Sequence, residues 1–208
     1  MSSTAYVYSR NMAHIIPPDE PLRERKRRLI RQRIVEAADE LFASKGFDSV
    51  SVTEIAARAD VGRTTFFRYF GDKAEVVFAH EEEVLEQITR LAAKEDAGPA
   101  RTAAEAVEQL RAIVVALCDH AAKNIDGFVL HYELVEKHPE LRAADAVKTQ
   151  LIADRFTELL LGRGTSEQAA VFASQLALAC YQVARRRAAG PGQLVAETQL
   201  AFDQLATL

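Results

Sequence analysis

The feature that most limits how this chain can fold is a helix-start signal that recurs along it. A hydroxyl or carboxylate residue is followed three positions later by Glu or Gln at Ser51–Glu54, Asp72–Glu75, Thr102–Glu105 and Thr165–Gln168. That is the pattern of a capping box, in which the first side chain accepts from the third helical N–H and the carboxylate reaches back to the cap. Stop signals lie between the starts, at Gly46, Gly71, Gly98-Pro99, Gly162-Arg163-Gly164 and Gly190-Pro191-Gly192. Glycine closes a helix in a left-handed cap at no steric cost, and proline cannot continue one. His138-Pro139 adds a break with Pro at the first position of a new helix. Within the segments, apolar residues recur at three- and four-residue steps, as in Leu29, Ile30, Ile34, Ala37, Ala38, Leu41 and Phe42. β-branched residues nowhere alternate with polar ones over a strand length. The expected fold is all-α, with about nine helices near residues 24–45, 52–59, 63–70, 73–95, 102–123, 126–137, 139–161, 166–189 and 193–206. Residues 1–20 lack a helical pattern and are expected to form a disordered tail, with Met12 an alternative start.

The chain is 208 residues long with 49 % apolar and 27 % charged residues, enough for a real core. No apolar run reaches the ~18 residues a membrane span needs, and the N-terminus lacks the basic-then-apolar order of a secretory signal. A cytoplasmic protein without membrane contact is expected. Cys118 and Cys180 stand alone in apolar helical surroundings, which reads as two buried thiols. A redox role would need a low thiol pKa and exposure, and neither cysteine has a cation near it in sequence. Neither a Gly-rich phosphate loop, a Ser-His-Asp set nor paired inward carboxylates can be assembled, so catalytic residues are expected to be none and an enzyme is disfavoured. No His pair stands at i, i+4, and His131 and Glu133 cannot share a helical face, so no metal site and no cofactor are expected.

Charge is unevenly placed. Residues 21–73 hold 12 Lys or Arg against 8 Asp or Glu, whereas residues 81–208 hold 13 against 19. Arg23 to Arg33 alone carries seven basic residues and one acid. A basic segment on an otherwise acidic chain points to a local polyanionic partner. Just downstream, a short capped helix (Val52 to Ala59), a tight turn (Asp60-Val61-Gly62) and a second short helix make a helix-turn-helix. The second helix contains TTFFRYF, residues 64–70. At ~100° per residue its phenylalanines Phe66, Phe67 and Phe70 share one arc, and Thr64, Thr65, Arg68 and Tyr69 the opposite one. The first arc is expected to anchor the helix on Leu41, Phe42, Ile55 and Ala56. The second offers hydroxyls and a guanidinium to base edges and phosphates, with Arg63 beside them, in a major groove of duplex DNA. Lys73, opening the next helix, is expected near a phosphate.

SVTEIAARADVGRTTFFRYFGDKAEVV, residues 51–77, resembles the DNA-binding segment of the TetR-type family of bacterial transcriptional regulators. The shared features are the hydroxyl opening the second helix, Ile-Ala in its middle, a Val-led turn, an aromatic-basic-aromatic-Phe recognition helix, and Asp-Lys opening the fourth. The resemblance implies a three-helix DNA-binding domain over 21–72 and a larger helical ligand-binding and dimerisation domain over 73–208. It implies that Ser51 caps and touches phosphate, that Thr53 reaches the groove, that Arg63, Thr64, Thr65 and Phe67 read bases, and that Arg68, Tyr69 and Lys73 hold the backbone. Three residues depart from the family pattern: Phe67 replaces Tyr and loses a hydroxyl, Gly62 replaces a capping Ser or Thr, and Thr64 replaces Gly and adds a base contact.

It further implies a homodimer. Small residues Ala169, Ala170, Ala173, Ala177 and Ala179 interleave with Val171, Phe172, Leu176 and Val183, which permits close helix approach. Phe172, Gln175, Leu176, Ala179, Gln182 and Val183 are expected at the dimer interface, together with Phe202 from a last helix carrying Leu194, Thr198, Ala201 and Leu205. Phe128, His131, Tyr132, Arg155 and Phe156 are expected to line a pocket for a small, largely apolar ligand. The function expected is a homodimeric repressor released from a near-palindromic operator by that ligand. The alternative is an architectural DNA binder with no response to a ligand.

Overall fold

The computed structural model describes residues 21–79, 81–94, 97–123 and 125–207, and the described chain is helical without a strand. The expected tail over 1–20, with Met12, lies outside the described residues. Among the described residues ten helices follow one another: α1 (Leu22–Lys45), α2 (Val52–Arg58), α3 (Arg63–Tyr69), α4 (Lys73–Val77), α5 (Glu81–Ala92), α6 (Ala103–Ala122), α7 (Ile125–Lys137), α8 (Pro139–Gly162), α9 (Glu167–Arg187) and α10 (Pro191–Leu205).

The start signals work locally as read, with one exception. Ser51 and Glu54 form a complete capping box on α2, and Asp72 and Thr102 cap α4 and α6 through the backbone N–H of Glu75 and Glu105. At α9 the cap is Ser166, which accepts from Ala169 N–H, and not Thr165. Thr165 is buried, and its hydroxyl accepts from Ala100 N–H at 3.0 Å, tying the start of α9 to the segment before α6. A tertiary hydrogen bond therefore displaced the cap by one residue. The stop at Gly46 uses positive φ (78°), which only glycine adopts without strain.

The single helix expected over 73–95 is two. α4 ends at Phe78 (φ −98°, ψ 15°), and α5 begins at Glu81. No Gly or Pro marks this break. It is fixed by packing: Phe78 and Ala79 are buried, and the Arg31 guanidinium of α1 donates to the Ala79 carbonyl. The freed carbonyl thus has a charged donor, which makes a helix end tolerable inside the structure.

Two apolar clusters organise the chain. One holds Ile34, Ala38, Phe42, Ile55, Phe66, Phe70, Val76 and Phe78 from α1–α4, hereafter the head, and continues into Leu134, Val135 and Leu141 of α7 and α8. The other holds Leu110, Ile113, Phe156, Leu160, Leu194 and Phe202 around Ala170, Ala173, Ala177 and Ala184 of α9, the body. Those alanines line α9 at three-, four- and seven-residue steps, so α6, α8 and α10 all pack closely on it. The head is thus seated on the body by shared apolar side chains at the α7–α8 corner.

Candidate nucleic-acid interface

α2 and α3 are joined by Asp60-Val61-Gly62. Asp60 has φ 52°, the only described non-glycine residue at positive φ. Asp tolerates that region better than most side chains, and α1 holds it there: Arg33 donates to the Ala59 carbonyl and pairs with the Asp60 carboxylate at 3.2 Å. Val61 N–H closes the turn on the Ala56 carbonyl at 2.9 Å. Together these contacts set the angle at which α3 leaves α2.

On α3 the aromatic arc divides. Phe66 is fully buried and Phe70 nearly so, their centroids 5.9 Å apart, and they fasten the helix to the head core. Phe67, expected in that anchor, is instead 46 % exposed. A seven-residue helix can put only one narrow stripe into the core, and the 66/70 pair fills it. Phe67 lies edge-on to Phe66 and supports the Arg63 guanidinium at 5.5 Å from its ring. Arg63, Thr64, Phe67 and Arg68 are exposed on the outer side, and Thr65 and Tyr69 are half-buried at its margins. Arg68 lies 5.6 Å over the Tyr69 ring, so both α3 arginines are steadied by an aromatic neighbour. Thr53 is exposed on α2. Ser51 is exposed too, but its hydroxyl is already used in the capping box, bonding Glu54 at 2.9 Å. Lys45, the Ser51 N–H and the Ser51 hydroxyl, in that order, hold the Glu54 carboxyl down to about 2.

Lys73 differs from its expected setting. Its ammonium donates to the carbonyls of Phe47 (2.7 Å), Val50 (3.0 Å) and Asp48 (3.4 Å) and lies 4.3 Å over the Phe47 ring. The side chain is turned into the loop between α1 and α2, and its three donors are spent there.

In the body, Phe128, His131 and Tyr132 meet on α7, Phe128 packs on the cluster that holds Phe156, and Arg155 stands apart. Phe156 is buried in the second cluster. Phe128 and Tyr132 stack edge-to-face at 4.4 Å, and His131 bonds to the head (below). Arg155 sits apart, bonded to Glu158 at 2.7 Å and to Thr89 at 3.0 Å, and borders a hollow of about 420 Å3 between α5 and α8 with Ile88, Ala92, Leu159 and Arg163. The i, i+3, i+4 spacing of Phe128, His131 and Tyr132 does bring them to one face of α7, whereas on α8 the adjacent Phe156 is buried and Arg155 part-exposed.

Of the expected dimer residues, Phe172, Gln175, Ala179, Gln182 and Val183 are exposed along α9 and Leu176 is half-buried, with Val171 beside them. Phe172 is 57 % exposed. Phe202 is the correction: it is 2 % exposed and packs inside the body, with Leu194, Thr198 and Ala201 buried on the same stripe. The apolar stripe of α10 is thus its core face, and Leu200 is the large apolar residue it turns outward.

Both cysteines are buried, and burial pushes the Cys118 thiol up to about 11 and Cys180 upward as well, the reverse of what a redox sensor needs. One group of metal-capable side chains that the sequence could not reveal comes together: the donor atoms of Asp48, His138 and Glu140 lie within 4.8 Å of one another. Both carboxylates are exposed, and the His138 ring is placed by packing on Phe47 at 5.0 Å. The two carboxylates lie 3.7 and 3.8 Å from His138 Nδ1. No helix among the described residues is long and apolar enough to cross a membrane.

Comparison with known proteins agrees with this geometry. Residues 34–79 match the family model described as bacterial regulatory proteins, tetR family. Over 191 residues the chain is 28 % identical to the HTH-type transcriptional regulator TcmR of Streptomyces glaucescens, covering 88 % of this chain and 82 % of that protein. The FadR repressor of Thermus thermophilus, solved with lauroyl-CoA, superposes with a TM-score of 0.53 at 28 % identity, over 85 % of this chain and 93 % of that one. SmeT, the repressor of a Stenotrophomonas maltophilia multidrug efflux pump, shares the fold in its triclosan complex, with a TM-score of 0.58 at 19 % identity, over 86 % and 90 % of the two chains. With its capped α2, its Asp60 turn and an α3 pinned by Phe66 and Phe70, the chain belongs to the TetR-type family of bacterial helix-turn-helix transcriptional regulators.

Proposed function

We propose that the chain works in the cytoplasm as a homodimeric, sequence-specific repressor that leaves a near-palindromic operator when a small ligand binds. Residues 21–72 form the DNA-binding part and 73–208 the ligand-binding and dimerisation part, with 73–79 packed against the former. The observation that carries the reading is α3: two buried phenylalanines fix it to the head while Arg63, Thr64, Phe67 and Arg68 face outward. In a major groove, Arg63 and the threonines address base edges, while Arg68 and Tyr69 address phosphates, with Ser51 and Thr53 at the entry of α2. Lys73 serves the same contact indirectly, by holding the loop that precedes Ser51.

The outward row Val171, Phe172, Gln175, Ala179, Gln182 and Val183 supports pairing of α9 with its copy across a two-fold axis, and Leu200 of α10 extends that apolar face. The ligand part is supported by the relatives solved with lauroyl-CoA and triclosan and by the hollow beside Arg155. Its walls Ile88 and Leu159 are apolar, and Arg155, Glu158 and Arg163 also line it, which suits a largely apolar body with a polar end.

Selection of genomic fragments with the purified protein tests this, followed by anisotropy on the enriched sequence over a salt series. A short inverted repeat whose affinity falls steeply with salt is expected. Uniform binding to all fragments would instead favour an architectural protein.

A further inference from the structure

The head and the body meet where α4 ends, and one side chain of α7 joins them by polar contacts on both sides. His131 Nδ1 lies 3.1 Å from the Val77 carbonyl, at the end of α4. Its Nε2 faces Asp145 Oδ1 of α8 at 3.6 Å. The second oxygen of Asp145 accepts from Arg185 Nη1 of α9 at 3.3 Å. The Arg185 guanidinium lies 4.4 Å from the centroid of the Tyr132 ring, and the Tyr132 hydroxyl is hydrogen-bonded to that of Tyr181, again on α9. A continuous set of directional contacts thus runs from the last carbonyls of the head to the helix that carries the outward row of Phe172 and Gln175. The side chains of His131 and Asp145 are only 22 % and 15 % exposed, so these contacts are less screened than surface pairs.

We propose that His131 is a positioning residue that couples the head to α9: a shift of α9 moves Arg185 and Asp145, and the imidazole passes that shift to the Val77 carbonyl. The inference rests on the regulator reading above and names the residue through which the body would set the pose of the head. The partners of the ring give it a chemical signature. A peptide carbonyl and a carboxylate both only accept, so the ring completes both contacts only when both nitrogens carry hydrogen. Either neutral tautomer turns a lone pair toward an acceptor. Phe78 and Tyr132 pack edge-on against the ring at 5.4 and 5.0 Å, and Lys148 lies 5.1 Å over the Phe78 ring. Glu133, next on α7, is paired with Lys137 on the exposed side. Removing the ring therefore takes away the Val77 contact while the Asp145–Arg185 pair remains.

Hydrogen exchange on the full chain tests this, read over residues 73–79. His131→Leu, which keeps bulk and removes both ring nitrogens, is expected to lower protection of that segment about three- to tenfold, the size of one lost hydrogen bond, while leaving α6 and the buried side of α9 unchanged. His131→Gln, whose amide can donate to the Val77 carbonyl, should recover part of that protection. Asp145→Asn, which keeps the shape and removes the carboxylate, should lower it in the same direction and serves if His131→Leu folds poorly. Anisotropy on the enriched DNA should show a Kd changed in His131→Leu and partly restored in His131→Gln. Protection of residues 73–79 unchanged in both His131→Leu and Asp145→Asn overturns the proposal. Absence of any sequence-specific binding by the wild type would instead overturn the regulator reading, while the exchange data would still decide the role of His131.

Discussion

Lys73 separates two physical roles, the phosphate contact that sequence implies and the loop contact that the structure shows. As a phosphate contact, its loss would weaken DNA binding and leave the fold untouched. In the structure its ammonium bonds the carbonyls of Phe47 and Val50 at 2.7 and 3.0 Å and faces the Phe47 ring at 4.3 Å. Hydrogen bonds that involve a charged group each contribute about 1.5–3 kcal/mol, and a partly exposed cation–π contact adds about 0.5–1 kcal/mol. Lys73→Met keeps the aliphatic stem and removes the charge, so the two carbonyls lose their donor. Partial access of water to the loop softens the effect, and a net loss of about 2–4 kcal/mol is expected. That is a large share of the roughly 5–15 kcal/mol that stabilises a typical domain. Urea unfolding at fixed protein concentration measures it, because a dimer's midpoint shifts with concentration. A variant within about 0.5 kcal/mol of wild type, combined with a salt slope of DNA binding reduced by about one, would refute the structural role and restore the phosphate contact.

Other consequences follow from single contacts. Arg63→Ala should cost about 1–3 kcal/mol on the preferred DNA and relax selectivity at one base pair, whereas Arg68→Ala should weaken all sequences alike and lower the salt slope by about one, both read by anisotropy. Phe172→Glu places a charge in the outward row of α9 and should convert the dimer to monomer in sedimentation without loss of helicity by circular dichroism; a persistent dimer would move the interface elsewhere. Ser51→Ala removes the cap of α2 and should cost about 1 kcal/mol near neutral pH. Glu54 titrates at about 2 when folded, below its ordinary 4.5, so its contribution is complete above 4.5 and is lost as pH falls toward 2. The gap between wild type and Ser51→Ala in urea midpoints should accordingly narrow as pH is lowered through that window.

Helix existence was legible because caps and glycines are local signals, and Ser51, Asp72 and Thr102 act within one turn of themselves. The features that sequence missed are those decided across the chain. The break at Phe78 has no Gly or Pro, because it is made by Arg31, 48 residues away, bonding the Ala79 carbonyl. Thr165 matches a cap by spacing but is drawn inside by Ala100 N–H, 65 residues distant. Phe202 looked like an interface residue because a core stripe and an interface stripe have the same helical period. Phe67 shares an arc with Phe66 and Phe70, yet three aromatics do not fit where the head offers room for two. The polar contacts of His131 and Tyr132 reach Val77, Asp145, Arg185 and Tyr181 on other helices, and no periodicity within α7 points to them. On α3, by contrast, the outward placement of Arg63, Thr64 and Arg68 is legible, since a seven-residue helix pinned by one buried stripe has only one other side to show.

The central claim is that two copies of α3 read two half-sites together. The measurement that tests it most directly is binding of the wild-type protein to the enriched inverted repeat and to a single half-site of equal total length, with sedimentation fixing the stoichiometry. Two protomers on the full repeat are expected, with affinity at least about a hundredfold above the half-site, because the second head then binds at high effective concentration. Equal affinity for both DNAs, or one protomer on the full repeat, would contradict it.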